Sequence, residues 1–260
     1  MSEPTVWAGG RYESVAQRIS GIAVETVERA GRRAALDGAA VVDLACGTGS
    51  AALAAAERGA RVTGVDLTPE LLAQARGKAD AAGLPVTWVA ADAGDTGLPG
   101  AAFDVAVSNM GIIFVEPERL LAETVRILAP GATFAFSAWV RNERNPLFDP
   151  IVAVLGAPPP SDFTPDQWGD RATASRRLAA HFDDVEVDDG SLAWRFDSMD
   201  EALRFLTDES PMHVGVFRRL DDARREELLE AFRAALLPHD ADGPVSFDAP
   251  YVIVSATRRR

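Results

Sequence analysis

The chain has 260 residues, 47% of them hydrophobic and 25% charged, enough for a packed core and too apolar for disorder. Its formal net charge of −13 and lack of a basic stripe exclude nucleic acid and anionic membrane as expected partners, because phosphate binding needs clustered Lys and Arg. One cysteine, Cys46, excludes an internal disulfide. No basic leader precedes a long apolar run, and no stretch approaches the ~20 apolar residues of a membrane span, so a cytoplasmic protein is expected. Lys78 is the only lysine; this arginine skew reads as GC-rich bacterial coding.

In chain order, Trp7, Tyr12, Val15, Ala16 and Ile19 mark a helical segment ahead of the first strand. Ala39 to Leu44 is a short β-branched run, read as a buried strand, followed by an alanine-rich helix over Ser50 to Glu57. Arg61 to Val65 is a second strand. Pro69 to Ala82 is a helix with Thr68 as its N-cap and Pro69 in its first turn. Val86 to Ala90 and Phe103 to Asn109 are strands, Pro117 to Leu128 a helix, and Ala132 to Ala138 a strand after a Pro130-Gly131 break. Arg141 to Asp170 is proline-rich and irregular, with one short helix near Phe148 to Leu155. A helix (Arg171 to His181), a strand (Val185 to Asp189), two helices (Met199 to Ser210 and Asp221 to Leu237) and an apolar strand (Tyr251 to Thr257) complete the chain. This βαβ rhythm predicts a doubly wound α/β sheet, with ligands outside the carboxyl ends of the strands.

Those strand ends carry the candidate site residues. Val41-Val42-Asp43-Leu44-Ala45-Cys46-Gly47-Thr48-Gly49-Ser50 is a strand running through a Gly-x-Gly turn into a helix, where small residues let a ligand approach the backbone. Asp66 ends the second strand and suits the two hydroxyls of a ribose; the alternative is capping of the next helix. Asp92, in Ala91-Asp92-Ala93, suits an adenine amine, and turn formation is its alternative. Val107-Ser108-Asn109-Met110 ends the fourth strand, where the reactive end of a nucleoside would lie.

Taken together, Asp43 to Gly49, Val65-Asp66-Leu67-Thr68, Ala91-Asp92-Ala93, Phe103-Asp104-Val105 and Leu128-Ala129-Pro130-Gly131 resemble the class I S-adenosylmethionine-dependent methyltransferases, specifically small-molecule enzymes related to the ubiquinone and menaquinone methyltransferases. The resemblance covers Val41 to Trp139. It implies a Rossmann-like seven-stranded sheet, mostly parallel, with the last strand antiparallel. It implies S-adenosylmethionine as cofactor, with Asp43 and the backbone of Ala45, Gly47, Thr48 and Gly49 on the methionine part. Asp66 would hold the ribose, Leu67 flank the adenine, Asp92 and Ala93 read its amine edge, and Asn109 and Met110 line the reactive end. In resembling enzymes the N-terminal segment folds over the cofactor, which nominates Tyr12 as a hydroxyl donor and Trp7 as a wall, with plain packing as the alternative.

The expected organisation is one domain: a core (about 36–140, 171–190 and 245–260), a helical cap (141–170 and 198–238) and an N-terminal lid (1–30). A homodimer is open. The expected partner is a small-molecule acceptor, a bacterial metabolite or natural product. An acceptor hydroxyl would need a base, and His213, in Ser210-Pro211-Met212-His213, is the candidate. Phe114, Trp139, Phe148, Trp168, Trp194 and Phe217 are candidate walls of an apolar pocket. No Cys/His spacing suggests a metal. Two rivals remain: a fold that binds the cofactor without methyl transfer, and a nicotinamide oxidoreductase, whose third glycine would fall at Ala52.

Overall fold

The computed structural model describes residues 5–159, 161–240 and 243–260. The first four residues of the expected lid and Pro160 of the proline-rich stretch lie outside the described residues.

Seven strands, β1 (Ala40–Leu44), β2 (Arg61–Asp66), β3 (Val86–Ala90), β4 (Phe103–Asn109), β5 (Leu128–Trp139), β6 (Phe182–Phe196) and β7 (Val245–Arg258), form one sheet in the order β3-β2-β1-β4-β5-β7-β6. β1 pairs in parallel with β2 and β4, β2 with β3, and β4 with β5, whereas β7 runs antiparallel to β5. The central strands carry apolar runs because both of their faces are covered: Val41, Val42, Leu44, Val105, Ala106 and Val107 are all buried. From β1 the chain winds outward to β2 and β3, then returns to pair β4 on the other side of β1. Right-handed crossovers therefore send the helices after β1 and after β4 to opposite faces, and the order reverses between β1 and β4.

The helices between them are α2 (Ser20–Arg33), α3 (Ser50–Ala56), α4 (Pro69–Ala82), α5 (Pro117–Ile127) and α7 (Arg171–Leu178), after α1 (Tyr12–Arg18) and α6 (Asp149–Leu155) are counted. Ala51, Ala52 and Ala55 of α3 are buried against Ala23, Val27 and Ala30 of α2. Small side chains let the two helices approach each other and the sheet closely.

The last strand starts at Val245, ahead of the expected Tyr251, and α7 ends at Leu178, short of His181; three further departures have a local cause. Pro130-Gly131 does not break the chain. β5 starts at Leu128, which pairs with Phe103, and the register then shifts before Val105 pairs with Thr133. The proline without its N–H and Gly131 (φ 82°) sit in that irregularity, where sheets tolerate both. β6 runs well beyond Val185 to Asp189; as the sheet's edge it can carry acids, which are matched by arginines of α2: Arg29 to Asp188 at 3.1 Å and Arg33 to Glu186 at 3.2 Å. The helix expected over Met199 to Ser210 is α8 (Met199–Arg204) continued by a π-helix (Phe205–Glu209). A further helix, α9 (Pro211–Phe217), follows before α10 (Asp222–Leu236).

The chain divides into two compact units. The core unit comprises 19–140, 163–190 and 251–260; the other comprises 141–162, 191–250 and the segment up to Arg18. The division puts α2 and residues 163–170 in the core unit, and 191–197 and 239–250 in the second unit, against the boundaries expected from sequence. Within the second unit, the Arg18 guanidinium lies 4.5 Å from the Phe196 ring and 5.2 Å from the Phe205 ring. It also bonds the Arg195 carbonyl at 2.7 Å and Glu201 at 3.0 Å, which fixes α1 to this unit.

In the core unit, one buried carboxylate fixes the loop after β3. Glu123 of α5 accepts from the Thr96 N–H at 2.8 Å, from the Thr96 hydroxyl, and from Arg126 Nε at 2.6 Å and Nη2 at 2.7 Å. The Arg126 hydrogen bonds, against the cost of burial, hold its carboxyl at about 2. Glu123→Ala is expected to cost about 1–3 kcal/mol at pH 7 by denaturant unfolding, since it leaves the buried Thr96 donors without an acceptor. A carboxyl held below its ordinary value contributes fully above that value and loses its contribution as pH falls. The stability gap between wild type and variant should therefore close from pH 5 towards pH 2.

Candidate active site

The site is built on the loop between β1 and α3. Asp43 is 1% exposed; its Oδ2 accepts from the Ala52 N–H at 2.8 Å, and its Oδ1 has no partner. Burial pushes its carboxyl up to about 8, with the charge of Asp66 adding to the rise and the Ala52 N–H opposing it. The loop turns through left-handed backbone at Ala45 (φ 52°), Gly47 (φ 55°) and Gly49 (φ 83°). Glycine is needed at position 49 for space as well as conformation, because a Cβ there would lie 2.6 Å from the Trp88 ring. Thr48 is buried, and Lys78 Nζ of α4 reaches its hydroxyl at 3.4 Å.

The loop is tied to the end of β2. Cys46 N–H donates to the Val65 carbonyl at 2.9 Å, and Gly47 N–H donates to Asp66 Oδ2 at 2.8 Å. Asp66 Oδ1 accepts from the Thr68 N–H at 2.8 Å, so Asp66 does organise the entry to α4, while the Thr68 side chain makes no capping bond. Burial raises the Asp66 carboxyl, and the Thr68 and Gly47 N–H groups oppose the rise. The Thr68 side chain also bonds this carboxylate, and with about four acceptor positions it can still take a further donor, so the two roles weighed from sequence are compatible. Leu67, the next residue, is 59% exposed.

The β2–β3 register pairs Asp66 with Ala90, and the Ala91 N–H donates to the Asp66 carbonyl at 3.1 Å. This sets Ala91-Asp92-Ala93 beside Asp66-Leu67. Asp92 Oδ1 accepts from the Gly94 N–H at 2.8 Å and Oδ2 from Arg119 at 3.2 Å; Ala93 is buried.

At the ends of β4 and β5, two buried serines shape the backbone. Ser108 Oγ donates to the Leu44 carbonyl at 2.7 Å and accepts from Ile112 N–H at 3.2 Å. Ser137 Oγ donates to Asn109 Oδ1 at 2.8 Å and accepts from Met110 N–H at 3.0 Å. Asn109 Nδ2 donates to the Ile19 carbonyl at 3.3 Å. Asn109 and Met110 (φ 56°) therefore build the turn itself. Gly111 lets this turn meet the first loop, since a Cβ there would stand 2.3 Å from the Ala45 carbonyl oxygen. Ser137 and Gly111 escaped the sequence reading, although a serine closing an apolar strand, as in Phe136-Ser137, is a readable signal.

Trp7, Tyr12 and His213 belong to the second unit, not to the unit that holds these strand ends. Trp7 and Tyr12 meet edge to face, with ring centroids 6.2 Å apart. The His213 assignment is corrected. Its Nε2 lies 2.7 Å from the Leu147 carbonyl, which can only accept, so Nε2 carries the proton and Nδ1, 2.7 Å from Ser210 Oγ, accepts. Burial lowers its pKa. A neutral imidazole with both nitrogens engaged has no lone pair to offer an acceptor. Among the expected pocket walls, Trp168, Trp194 and Phe217 are core residues, and Phe114 and Phe148 are exposed. Trp168 packs against Phe136 at 5.2 Å.

Residues 42–136, from β1 to β5, match the methyltransferase domain family. Over these residues the core unit is similar to methyltransferase domains, the family whose motifs its strand ends resemble. The methyltransferase reading extends along the chain in a solved structure from Anaeromyxobacter dehalogenans proposed to be a type II methyltransferase, 26% identical with a TM-score of 0.60 over 90% of this chain and 95% of that one. A demethylmenaquinone methyltransferase of Thermus thermophilus is 46% identical over 94 residues, 35% of this chain and 43% of that enzyme. An uncharacterised protein of Mycobacterium tuberculosis is 28% identical over 84% of this chain and 80% of its own length. The fold is also that of the (4+2)-cyclase SpnF, 21% identical with a TM-score of 0.55 over 91% of this chain and 80% of that one. Among the described residues, no helix is long and apolar enough to cross a membrane, and no three His, Cys, Asp or Glu side chains group as metal ligands.

The loop between β1 and α3 carries a cost that can be measured. Asp43 retains a proton in the folded state far above its ordinary range. The folded state is then the better proton binder between about pH 4 and 8, and stability falls as pH rises through that window. Asp43→Asn is expected to remove this slope and to melt several degrees above wild type at pH 8 without ligand; parallel pH–melting curves would refute it.

Proposed function

We propose that the protein transfers a methyl group from S-adenosylmethionine to a small-molecule acceptor. The observation that carries this reading is the side-by-side placement, in one unit, of the Ala45–Gly49 loop, Asp66, exposed Leu67 and Asp92 at three consecutive strand ends. The residues fit such a nucleoside. Leu67 offers an apolar face flanked by two carboxylates that can each take a further donor, and the Asp43 Oδ1 atom is without a partner. In this reading Asp43 and the Ala45–Gly49 backbone serve the methionine part, Asp66 the ribose, Leu67 the adenine face, and Asp92 and Ala93 its amine edge. Asn109 and Met110 set the turn beside the reactive end.

When bound, S-adenosylmethionine supplies an electrophilic methyl on sulfonium sulfur. The protein's task is then to align an acceptor atom behind that methyl, and alignment alone can supply ~7–11 kcal/mol of the barrier. The acid excess disfavours a nucleic-acid acceptor. The arginine skew, the lone cysteine and the bacterial relatives support a bacterial, cytoplasmic enzyme acting on a metabolite or natural product.

One observation favours a second reading, cofactor binding without methyl transfer: the histidine nominated as base has both nitrogens engaged. Incubation with methyl-labelled S-adenosylmethionine and a panel of small hydroxyl, amine and quinol acceptors separates the two. Methyl transfer predicts S-adenosylhomocysteine formed only when an acceptor is present. Retained binding with no S-adenosylhomocysteine under any acceptor would favour the second reading. Asp66→Asn is expected to weaken cofactor affinity tenfold or more by calorimetry, since a hydrogen bond to a charged group is worth about 1.5–3 kcal/mol.

A further inference from the structure

The end of β3 holds an arrangement that cofactor contact alone does not explain. Asp92 is held by two donors from different elements: the Gly94 N–H of its own turn and Nη2 of Arg119, in the first turn of α5. The position of Arg119 is set by its own helix start. Pro117 occupies that start, and Glu116 caps it by accepting from the Glu118 N–H at 3.0 Å and the Arg119 N–H at 2.8 Å. Gly94 makes room for the arginine stem, since a Cβ there would lie 3.3 Å from Arg119 Cβ. The far side of the same loop is fastened to α5 through Thr96 and Glu123. The Asp92 and Arg119 side chains are nonetheless 36% and 57% exposed. An exposed pair of this kind adds little to fold stability.

The chemistry of the pair is specific. An ionised carboxylate only accepts, so it suits a ligand edge that donates. Asp92 with the Gly94 bond alone could swing its second oxygen; the Arg119 bond stops that swing and keeps a lone pair open beside Leu67. A charge-assisted contact to a planar guanidinium adds direction as well as attraction.

We propose that Arg119 is a positioning residue for base selection: it orients the Asp92 carboxylate so that it accepts from the exocyclic amine of a 6-aminopurine nucleoside. The proposal rests on the reading of these strand ends as the nucleoside site. Arg119 acts through Asp92, so its effect is coupled to the ligand's amine and not to its sugar or amino-acid tail.

The test is calorimetry of the full chain with two probes, S-adenosylhomocysteine and its analogue lacking the 6-amino group. Arg119→Ala is expected to weaken S-adenosylhomocysteine five- to tenfold, to change the deaminated analogue less than twofold, and to leave the melting temperature within about two degrees of wild type. Arg119→Lys, which keeps the charge and loses the planar fork, should fall between. Equal losses for both probes, or no loss for either, overturn the proposal. If the wild-type chain binds neither probe, the nucleoside reading itself has failed and the role of Arg119 falls with it.

Discussion

The Asp66 carboxylate joins two strand ends, and the rest of the site follows from that bridge. One oxygen takes the Gly47 N–H from the loop after β1, and the other takes the Thr68 N–H at the start of α4. Parallel strands bring their carboxyl ends level but leave the loops beyond them with unpaired backbone groups. A carboxylate at the end of β2 satisfies donors from both sides, so the glycine loop and the Leu67 turn keep a fixed relation. The β3 turn then joins through the Ala91 N–H on the Asp66 carbonyl.

The same end of the sheet carries three unfavourable features. Asp43 is a buried acid with one oxygen unpaired. Ala45 and Met110 adopt left-handed backbone without being glycine, each at a cost of order 1 kcal/mol or more. A fold optimised only for stability would remove all three. Their place beside the β1–β4 switch point is where a binding site built on a rigid α/β sheet would sit. Burial also raises the Cys46 thiol, which keeps it protonated and unreactive in this setting.

Much of the fold was legible because periodicity and turn chemistry agree in its first half. The bounds of α4, β3 and β4 coincide with the expected ones. Departures arise where tertiary context overrides local pattern. The acids of β6 look like a loop until the arginines of α2 are placed beside them, and the register shift in β5 absorbs a proline that reads as a break. The π-helix and α9 carry no periodic signature distinct from one longer helix. In the site, the acids and glycines announce themselves at strand ends. Ser137, Gly111 and Arg119 act through partners far away in sequence, which a single chain read locally does not reveal. His213 was misread for the same reason: the Leu147 carbonyl that occupies its Nε2 lies 66 positions earlier.

The most direct measurement is a crystal structure of the chain grown with S-adenosylhomocysteine. The account predicts the purine lying on Leu67 with its amine on Asp92, the ribose hydroxyls on Asp66, and the amino-acid tail over residues 45–49. A ligand bound elsewhere, or strand ends still closed by their own side chains at saturating ligand, would contradict it.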